Sequence, residues 1–470
     1  MRGGIIFIEL YGMDKKLINE FEMILGKDRV LSETEELLCY SYDATSKDFM
    51  PDAVVFPLNA EEISKIVKLC LKYNNTPIVG RGSGSGFSGG SLPLKGGVVV
   101  SFTKMNRILE LDEENMFVTV EPGVINADLK SYLSEKGYFY PPDPASYEFS
   151  TIGGNVAECS GGPAAVKYGV TKDYVAALEV ITGEGEIIYT GSKTVKNVSG
   201  YNLTQLFTGS EGTLGLFSKI MLKILSKPEA NSLILVSFND INNGFNAAIS
   251  LLKLRNRPSM LEFMDKSSIE SVKSIFKSDI IKITGNFLFI IEADGSKEEV
   301  TKSINEYKNI LEEFSPVFLF ASEKSEDKKV IMDARKAVSP SLRKYGDLKI
   351  NNDIAVPINK IPDMLPFLEE TSKKYGIPII NFGHFGDGNI HVNIMLDKSN
   401  AEMVEKGGKA KYDVLKKTVE LGGSLSGEHG IGLEKKEFMK LKYDDYYMNL
   451  LKNIKKVFDP QNIINPGKIF

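Results

Sequence analysis

The chain has 470 residues, of which 42% are hydrophobic and 25% charged, and its formal net charge is −5. This length predicts two or three domains, and the mild acidity with scattered lysines gives no support for a nucleic-acid-binding surface. No apolar run approaches the roughly 18 residues that a membrane helix needs. We therefore expect a cytoplasmic protein without a transmembrane segment, with a peripheral position at a membrane left open.

The N-terminus and the cysteines bear on the location of the protein and on its redox cofactors. The opening residues are hydrophobic over only a few positions before Glu9, too short for the core of a signal peptide. Residues 1–12 are either native or an upstream extension, with Met13 as an alternative start.

Cys39, Cys70 and Cys159 are single cysteines, which fits a reducing cytoplasm. They exclude an internal iron–sulfur cluster, which needs about four cysteine ligands, so redox chemistry here requires an external electron acceptor.

Hydrophobic periodicity changes along the chain. Residues 76–215 alternate short β-rich runs with glycine-rich loops, and the part from about 230 follows the order of a β-α-β-β-α-β unit. Two further strands, IPIINF and NIHVNIML, precede a helical tail. The predicted helices are 14–25, 60–73, 126–136, 241–255, 297–313, 325–345, 361–375, 400–420 and 433–457. This pattern predicts an α+β protein.

The stretch GRGSGSGFSGG (80–90) contains a literal G-x-G-x-x-G. A Rossmann fingerprint of that form must open a helix, but Pro93 and the following glycines break any helix before the next strand. No G-K-[ST] ends the run, so a Walker A loop is also excluded. The stretch, here called the glycine loop, predicts an anion cradle of backbone N–H groups with Arg81 beside it. The alternative is a flexible surface turn.

All three histidines lie near the C-terminus, His384 and His391 in GHFGDGNIH and His429 in SGEHGIG. A turn between two strands can bring His384 and His391 face to face, and Asn393 shares the face of His391. Because Glu428 and His429 are adjacent, we expect their side chains to diverge. Two imidazoles and one carboxylate form a metal-binding set that serves Zn²⁺ and Fe²⁺ alike. The alternative is that all three histidines are structural.

Several motifs in a fixed order resemble one enzyme family. They are PIVGRGSGSGFSGGS, PPDP, STIGGNVAECSGGPAAVKYGVTKDYV and GSEGTLG. Together they are similar to the FAD-binding domain of the vanillyl-alcohol oxidase/p-cresol methylhydroxylase superfamily, in the branch of D-lactate dehydrogenase, the glycolate oxidase flavin subunit and D-2-hydroxyglutarate dehydrogenase. The resemblance implies a p-cresol methylhydroxylase-type FAD-binding domain, a ferredoxin-like α+β substrate (cap) domain and a C-terminal helical segment.

The resemblance also implies domain boundaries. We expect an N-terminal helical segment over 1–45, the FAD-binding domain over 46–228 and the substrate domain with the metal motif over 229–420. Residues 421–470 are expected to return to the FAD-binding domain.

By resemblance, the glycine loop wraps the FAD pyrophosphate through its backbone N–H groups. Glu211 is expected near the adenosine half or the domain hinge, and Asn465 near the isoalloxazine. Some relatives attach FAD covalently through a histidine, but none precedes His384, so we expect a non-covalent FAD. The expected cofactor-binding residues are Arg81, Gly82, Ser83, Gly84, Ser85, Gly86, Pro142, Asp143, Thr151, Gly154, Asn155, Ser160, Gly161, Gly162, Glu211 and Asn465.

The segments GHFGDGNIH and GEHG resemble the metal motif of the same family. The resemblance implies that His384, His391 and Glu428 bind a divalent metal, Zn or Fe, and that His429 is the catalytic base. Oxidation of a 2-hydroxy acid removes the hydroxyl proton while a hydride leaves C2 for flavin N5. A metal at the hydroxyl oxygen stabilises the developing alkoxide, and a histidine can accept the proton.

The substrate carboxylate needs a cationic partner. Arg335 in MDARKAVSPSL takes the position of the family's substrate arginine, with a catalytic role, and Ser339 follows one turn later. Asn393 and His429 complete the expected substrate site. Arg343 is a second candidate, and a surface salt bridge is the alternative for either arginine.

One departure from the family bears on the substrate. The hydroxyglutarate enzymes carry a lysine where this chain has Asn351, and Lys349 is two residues out of register. We therefore expect a D-2-hydroxy-acid dehydrogenase that favours D-lactate, with glycolate and D-2-hydroxyglutarate as alternatives.

Two other functions are compatible with the same motifs. Alkyl-dihydroxyacetonephosphate synthase resembles this fold, but it would need a phosphate site, and no basic cluster accompanies the histidines. The second is a flavin subunit of a larger electron-transfer complex. The expected electron acceptor is an electron-transfer flavoprotein, a quinone or an iron–sulfur partner. A homodimer is compatible with either function.

Overall fold

The computed structural model describes residues 13–45, 47–273 and 284–470. The expectation about residues 1–12 concerns a segment outside these ranges. The described residues form four β-sheets with α-helices between and around them. No described helix is both long enough and apolar enough to cross a membrane.

The part of the chain up to Ser226 contains eleven strands and eight α-helices in its described residues. The strands are β1 (Val30–Leu31), β2 (Ala53–Val55), β3 (Ile78–Arg81), β4 (Val98–Ser101), β5 (Ile108–Asp112), β6 (Phe117–Val120), β7 (Tyr138–Phe139), β8 (Val175–Ile181), β9 (Ile187–Gly191), β10 (Leu216–Lys223) and β11 (Leu225–Ser226). The helices are α1 (Lys15–Leu25), α2 (Thr34–Leu37), α3 (Ala60–Lys72), α4 (Asn126–Glu135), α5 (Ile152–Glu158), α6 (Ala165–Tyr168), α7 (Thr171–Tyr174) and α8 (Leu203–Phe207).

These strands form a four-stranded sheet, a five-stranded sheet and the small pair β11-β7. The four-stranded sheet has the order β1-β2-β4-β3, and β2, β4 and β3 pair in parallel. The five-stranded sheet has the antiparallel order β5-β6-β10-β8-β9. Strand β3 is an edge strand of the first sheet and ends at Arg81, so most of the glycine loop follows directly from that edge.

Helix α3 shows why the sequence folds this way locally. Asn59 caps the helix by accepting the N–H of Glu62. Ile63, Ile66 and Val67 recur at helical spacing and pack against the buried valines of β2 and β4. The helix predicted over 60–73 is therefore confirmed within one residue.

Residues 230–420 contain a seven-stranded antiparallel sheet of order β15-β12-β14-β13-β17-β18-β16. Its strands are β12 (Ala230–Phe238), β13 (Met260–Asp265), β14 (Phe287–Gly295), β15 (Phe318–Ser322), β16 (Leu348–Ala355), β17 (Ile379–His384) and β18 (Asn389–Leu396). Its helices are α9 (Ile241–Leu252), α10 (Lys266–Lys273), α11 (Lys297–Glu313), α12 (Ser325–Ser341), α13 (Ile361–Tyr375) and α14 (Ala401–Glu420). The strands β12 to β15 with α9 and α11 follow the predicted β-α-β-β-α-β order, and α10 lies between β13 and β14.

The two faces of this sheet have different cover. Helices α9, α11, α13 and α14 pack on one face, and α10 and α12 pack on part of the other. The register pairs Glu262 with His384 and places His391 opposite Asp353. Since side chains alternate along strands, these four residues share the second face, where α12 covers the sheet only in part.

The C-terminal segment returns to the first part of the chain. Asn465 N donates to Ile78 O at 2.7 Å, and Phe458 packs edge-on against Phe207 at 4.9 Å. The last helix, α15 (Asp445–Phe458), begins after Asp444, whose side chain accepts the N–H of Tyr447. The helix predicted over 433–457 is therefore wrong in its first part, because Asp444 is a strong N-cap and the preceding residues form a 3-10 turn over 436–441.

Candidate active site

A cavity opens between the glycine loop, α5 and the segment that carries Glu428 and His429. Thr151, Gly154, Asn155, Ser160 and Glu211 also line the cavity. The structure thus brings the glycine loop, the GGN motif and two of the C-terminal motif residues to one place.

The glycine loop fits an anion. The backbone N–H groups of Ser83, Gly84, Ser85 and Gly86 donate to no other residue in the described part of the chain. These four residues line the cavity, and a row of free backbone N–H groups forms an anion site that suits the pyrophosphate of FAD. The residues present therefore fit this cofactor.

Arg81 lies behind the glycine loop and not in the cavity wall, where its charge had suggested an anion-binding role. Its guanidinium lies beneath the loop, where Nη2 donates to Tyr42 O at 2.7 Å, and it does not line the cavity. Gly84 has φ +68° and sits directly over that guanidinium, so a Cβ there would collide with it. Arg81 shapes the loop from behind.

Five more expected cofactor residues do not line the cavity, namely Pro142, Asp143, Gly161, Gly162 and Asn465. Asn465 Nδ2 donates to Gly90 O at 2.8 Å and to Glu211 O at 2.9 Å. It therefore ties the end of the glycine loop to the GSEGTLG turn. Burial raises the pKa of Asp143 to about 6, and its carboxylate accepts the N–H of Ala164 at 3.3 Å.

The hairpin of β17 and β18 brings two histidines together. His384 Nε2 lies 3.3 Å from His391 Nε2, and Glu428 Oε1 lies 3.7 Å from the first and 3.5 Å from the second. Metal–ligand bonds of about 2.0–2.2 Å in tetrahedral geometry place ligand atoms about 3.4 Å apart. The three donor atoms therefore fit one divalent ion.

A second donor set overlaps the first. Asp353, His391, Glu428 and His429 each bring a donor atom within 4.8 Å of the others. However, Oδ2 of Asp353 already accepts hydrogen bonds at 2.8–3.0 Å from the Ser426 hydroxyl and from three successive backbone N–H groups. Its role is to hold segment 426–429.

Glu428 and His429 do not diverge, so that prediction is wrong. His429 Nε2 lies 3.7 Å from Glu428 Oε1, because the backbone curls around Asp353 instead of continuing as a strand. The His429 ring lies between Phe87, at 5.1 Å, and His391, at 5.5 Å between ring centroids. Both Glu428 and His429 line the cavity, so the donor cluster borders the proposed flavin site.

Sequence reasoning missed the carboxylates behind the histidines. Glu262, fully buried in β13, lies with Oε1 2.5 Å from His384 Nδ1, and Asp353 Oδ1 is 4.0 Å from His391 Nδ1. The available signal was an acidic residue inside an apolar strand, as in MLEFM, since such residues are rarely buried without a partner.

Two of the three donor groups, His391 and Glu428, have the charge state that a metal ligand needs. Burial lowers the pKa of His391 to about 3, which leaves a neutral imidazole. Burial opposes ionisation of Glu428, but hydrogen bonding and charge from His384 hold its pKa at about 2. Burial also disfavours charge on His384, yet Glu262 and Glu428 raise its pKa well above the ordinary value. Metals bind ionised carboxylates and neutral imidazoles, so Glu428 and His391 already have the ligand form, whereas His384 must release a proton to bind.

The predicted substrate residues lie on or near α12. Arg335 Nη2 forms an ion pair with Glu262 Oε2 at 2.6 Å, and its Nε has no described partner. Ser339 Oγ accepts a hydrogen bond from Lys349 Nζ at 2.9 Å. Arg343 is exposed in the turn after α12.

The two asparagines that the substrate prediction names lie on adjacent strands. Asn351 and Asn393 are paired in register, and in each of them Oδ1 has no described partner. Asn393 is fully buried, and its Nδ2 donates to Ile380 O at 3.2 Å and to His391 O at 3.0 Å.

Comparisons with known proteins show the family of the chain. A family model described as "FAD binding domain" matches residues 51–191, and one described as "FAD linked oxidases, C-terminal domain" matches residues 227–469. Glycolate oxidase subunit GlcD of Bacillus subtilis (strain 168) is 39% identical over 434 residues, 92% of each chain. D-lactate dehydrogenase of Anaerostipes hadrus is 32% identical over 463 residues, 97% of each chain.

The fold comparison concerns a solved structure of p-cresol methylhydroxylase with substrate bound. It superposes with a TM-score of 0.81 at 19% identity, over 97% of this chain and 96% of that one. The α+β fold and the resemblance predicted from the motifs are confirmed. The chain has the fold of p-cresol methylhydroxylase, and it belongs to the FAD-linked oxidases, among relatives that include D-lactate dehydrogenases and glycolate oxidase subunit GlcD.

Proposed function

We propose that this protein is an FAD- and divalent-metal-dependent dehydrogenase that oxidises a D-2-hydroxy acid, with D-lactate favoured, to the 2-oxo acid. The observation that carries the proposal is the three-atom donor set of His384, His391 and Glu428 at 3.3–3.7 Å. That set borders, through Glu428 and His429, the cavity that fits FAD. A site that joins a hydride acceptor to a Lewis acid suits oxidation of an alcohol beside a carboxylate.

The chain's residues have distinct proposed roles. His384, His391 and Glu428 would hold Zn²⁺ or Fe²⁺, and the overlapping set with Asp353 is disfavoured because that carboxylate already accepts four hydrogen bonds from segment 426–429. When bound, the metal and FAD supply charge stabilisation and hydride acceptance. His429, with Nε2 turned toward Glu428, would take the hydroxyl proton.

The cofactor is proposed to bind without a covalent bond. The unpaired N–H groups of Ser83 to Gly86 would hold the pyrophosphate, and Thr151, Asn155 and Ser160 would line the rest of the site. The proposal is supported by the position of these residues, which line one cavity.

The substrate carboxylate is proposed to bind near Arg335, whose Nε has no described partner. Ser339 and Asn393 would complete this pocket. A second candidate substrate is a dicarboxylate such as D-2-hydroxyglutarate, and Lys349 favours it. Its Nζ is half-buried, pairs with Ser339 at 2.9 Å, and has no carboxylate within 4 Å among the described residues. Glycolate is the third candidate, because the GlcD relative carries that name.

The electrons are proposed to leave through an external acceptor, an electron-transfer flavoprotein, a quinone or an iron–sulfur partner. The three cysteines are single and free in the structure, and a cluster needs about four. A working subunit of a larger complex and a homodimer are both compatible with this proposal.

The test is anaerobic reduction of the bound flavin, followed near 450 nm, roughly the oxidised flavin band. D- and L-lactate, glycolate and D-2-hydroxyglutarate are each added before and after removal of metal by a chelator. We expect D-lactate to bleach the flavin and chelation to slow bleaching strongly. If no hydroxy acid reduces the flavin, the proposed function is wrong; unchanged rates after verified metal loss would remove the metal from it.

A further inference from the structure

Glu158 is a carboxyl group in the cavity wall to which the proposed mechanism gives no role. It is the last residue of α5 and lies between the glycine loop and the segment that carries His429. A Cβ on Gly90 would lie 2.7 Å from its Oε1, and a Cβ on Gly430 would collide with its Oε2. Both glycine segments therefore close directly onto this carboxyl group.

The hydrogen bonding of Glu158 is incomplete. Ser88 Oγ approaches Oε1 at 3.4 Å, and Oε2 is shielded from solvent without any described partner. The neighbouring Glu211 is different, because it accepts the backbone N–H groups of Ile431 and Gly432 at 2.7 and 2.6 Å. An ionised carboxylate with so few donors around it would be costly to bury.

The surrounding charges favour the neutral acid. Glu211 and Asp43 face Glu158 from two other segments, and Lys468 is the cation on that side. Burial raises the pKa of Glu158 well above its ordinary value, and Glu211 adds to the rise. A protonated carboxyl has an O–H to donate. An ionised one would instead add a third negative charge beside the loop that fits a pyrophosphate.

We propose that Glu158 is a cofactor-binding residue, a neutral carboxylic acid that donates a hydroxyl hydrogen from Oε1 to FAD, because Oε2 is shielded from the cavity. The proposal rests on the FAD site and not on the choice of hydroxy acid. It has a consequence for pH. Since FAD would bind the protonated form, FAD affinity should be constant at low pH and should fall as pH rises through the pKa of this carboxyl.

The test is titration of the apoprotein with FAD, followed by quenching of flavin fluorescence between pH 6 and 9, for the wild type, Glu158→Gln and Glu158→Ala. The amide of Glu158→Gln keeps an N–H donor that does not titrate, so we expect affinity within about threefold of the wild type and a flat pH profile. Glu158→Ala should bind FAD about tenfold more weakly. Glu184→Gln, which changes an exposed carboxylate, should bind like the wild type.

Each result decides the proposal. Wild-type affinity in Glu158→Ala overturns it, and so does a loss in Glu158→Gln as large as in Glu158→Ala. A wild-type affinity that rises with pH would also overturn it, since that behaviour belongs to an ionised partner. If Glu158→Ala fails to fold, by its apoprotein melting curve, the pH profiles of the wild type and Glu158→Gln still distinguish the outcomes. None of these readouts depends on hydroxy-acid turnover.

Discussion

Arg335, Glu262 and His384 form a buried chain in which Arg335 Nη2 lies 2.6 Å from Glu262 Oε2 and Glu262 Oε1 lies 2.5 Å from His384 Nδ1. A carboxylate at Nδ1 fixes the imidazole tautomer and leaves Nε2 free for a metal. Glu262 is thus proposed as a positioning residue for the proposed metal site, and Arg335 connects that site to the proposed substrate pocket.

The first prediction concerns Glu262→Gln. The amide carries no negative charge and cannot stabilise the His384 ring as the carboxylate does. Metal affinity should therefore fall about ten- to hundredfold, while FAD content stays unchanged. Competition with a chromophoric chelator measures the metal affinity, and His384→Ala gives the value expected for a lost ligand. Glu292→Gln, a half-buried glutamate on the same sheet, is the matched control. Equal metal affinity in Glu262→Gln and the wild type would falsify this role.

The second prediction separates His429 from the metal ligands. His429→Ala should keep FAD and metal but slow anaerobic flavin reduction by about 10²–10⁴-fold, the usual range for general base catalysis. His391→Ala should lose metal, because its Nε2 belongs to the donor set at 3.3 and 3.5 Å. Metal analysis and stopped-flow absorbance distinguish the two variants. A near-normal rate in His429→Ala removes it as the base, and a large metal loss there favours the overlapping donor set with Asp353.

The third prediction concerns Asp353 and acid stability. Burial opposes its ionisation, but charge from His429, Lys435 and His391 and the hydrogen bond from the backbone of His429 hold its pKa well below the ordinary value. A carboxylate with a lowered folded pKa stabilises the fold above its unfolded pKa, and that stability is lost as pH falls through the folded pKa.

Asp353→Asn should therefore lower the free energy of unfolding by about 3 kcal/mol at pH 7 and show a smaller further loss toward pH 3. Urea unfolding at the two pH values measures both. Asp347→Asn, at an exposed position, should change little. The account fails if the variant and the wild type lose stability in parallel across this pH range.

The fourth prediction concerns substrate choice. Lys349→Met removes the half-buried cation beside Ser339. If the favoured substrate is D-lactate, kcat/KM for D-lactate should change by less than about threefold, while any activity with D-2-hydroxyglutarate should fall about tenfold or more, the cost of losing a charged hydrogen bond. Steady-state kinetics with an artificial dye provide the comparison. Lys344→Met, an exposed lysine nearby, is the control, and a tenfold loss with both substrates would place Lys349 at the carboxylate that they share.

Local patterns determined much of the fold. Helical periodicity was enough to predict α3, and the strand–helix order after residue 230 matches β12 to β15 with α9 and α11. The start of α15 was not predictable from periodicity alone, because Asp444 caps it after a 3-10 turn. Helix boundaries of this kind are not fixed by periodicity alone.

The sequence by itself determined which residue types gather, since the three histidines, Glu428 and the glycine loop are all readable from spacing. Only the tertiary structure decided their partners. Glu262 and Asp353 reach the histidines through strand pairing, and Arg81 turns beneath its own loop. Glu428 and His429 converge because a distant carboxylate collects three successive N–H groups. Such contacts join residues tens to hundreds of positions apart in the sequence. Local sequence patterns therefore do not show which of them meet.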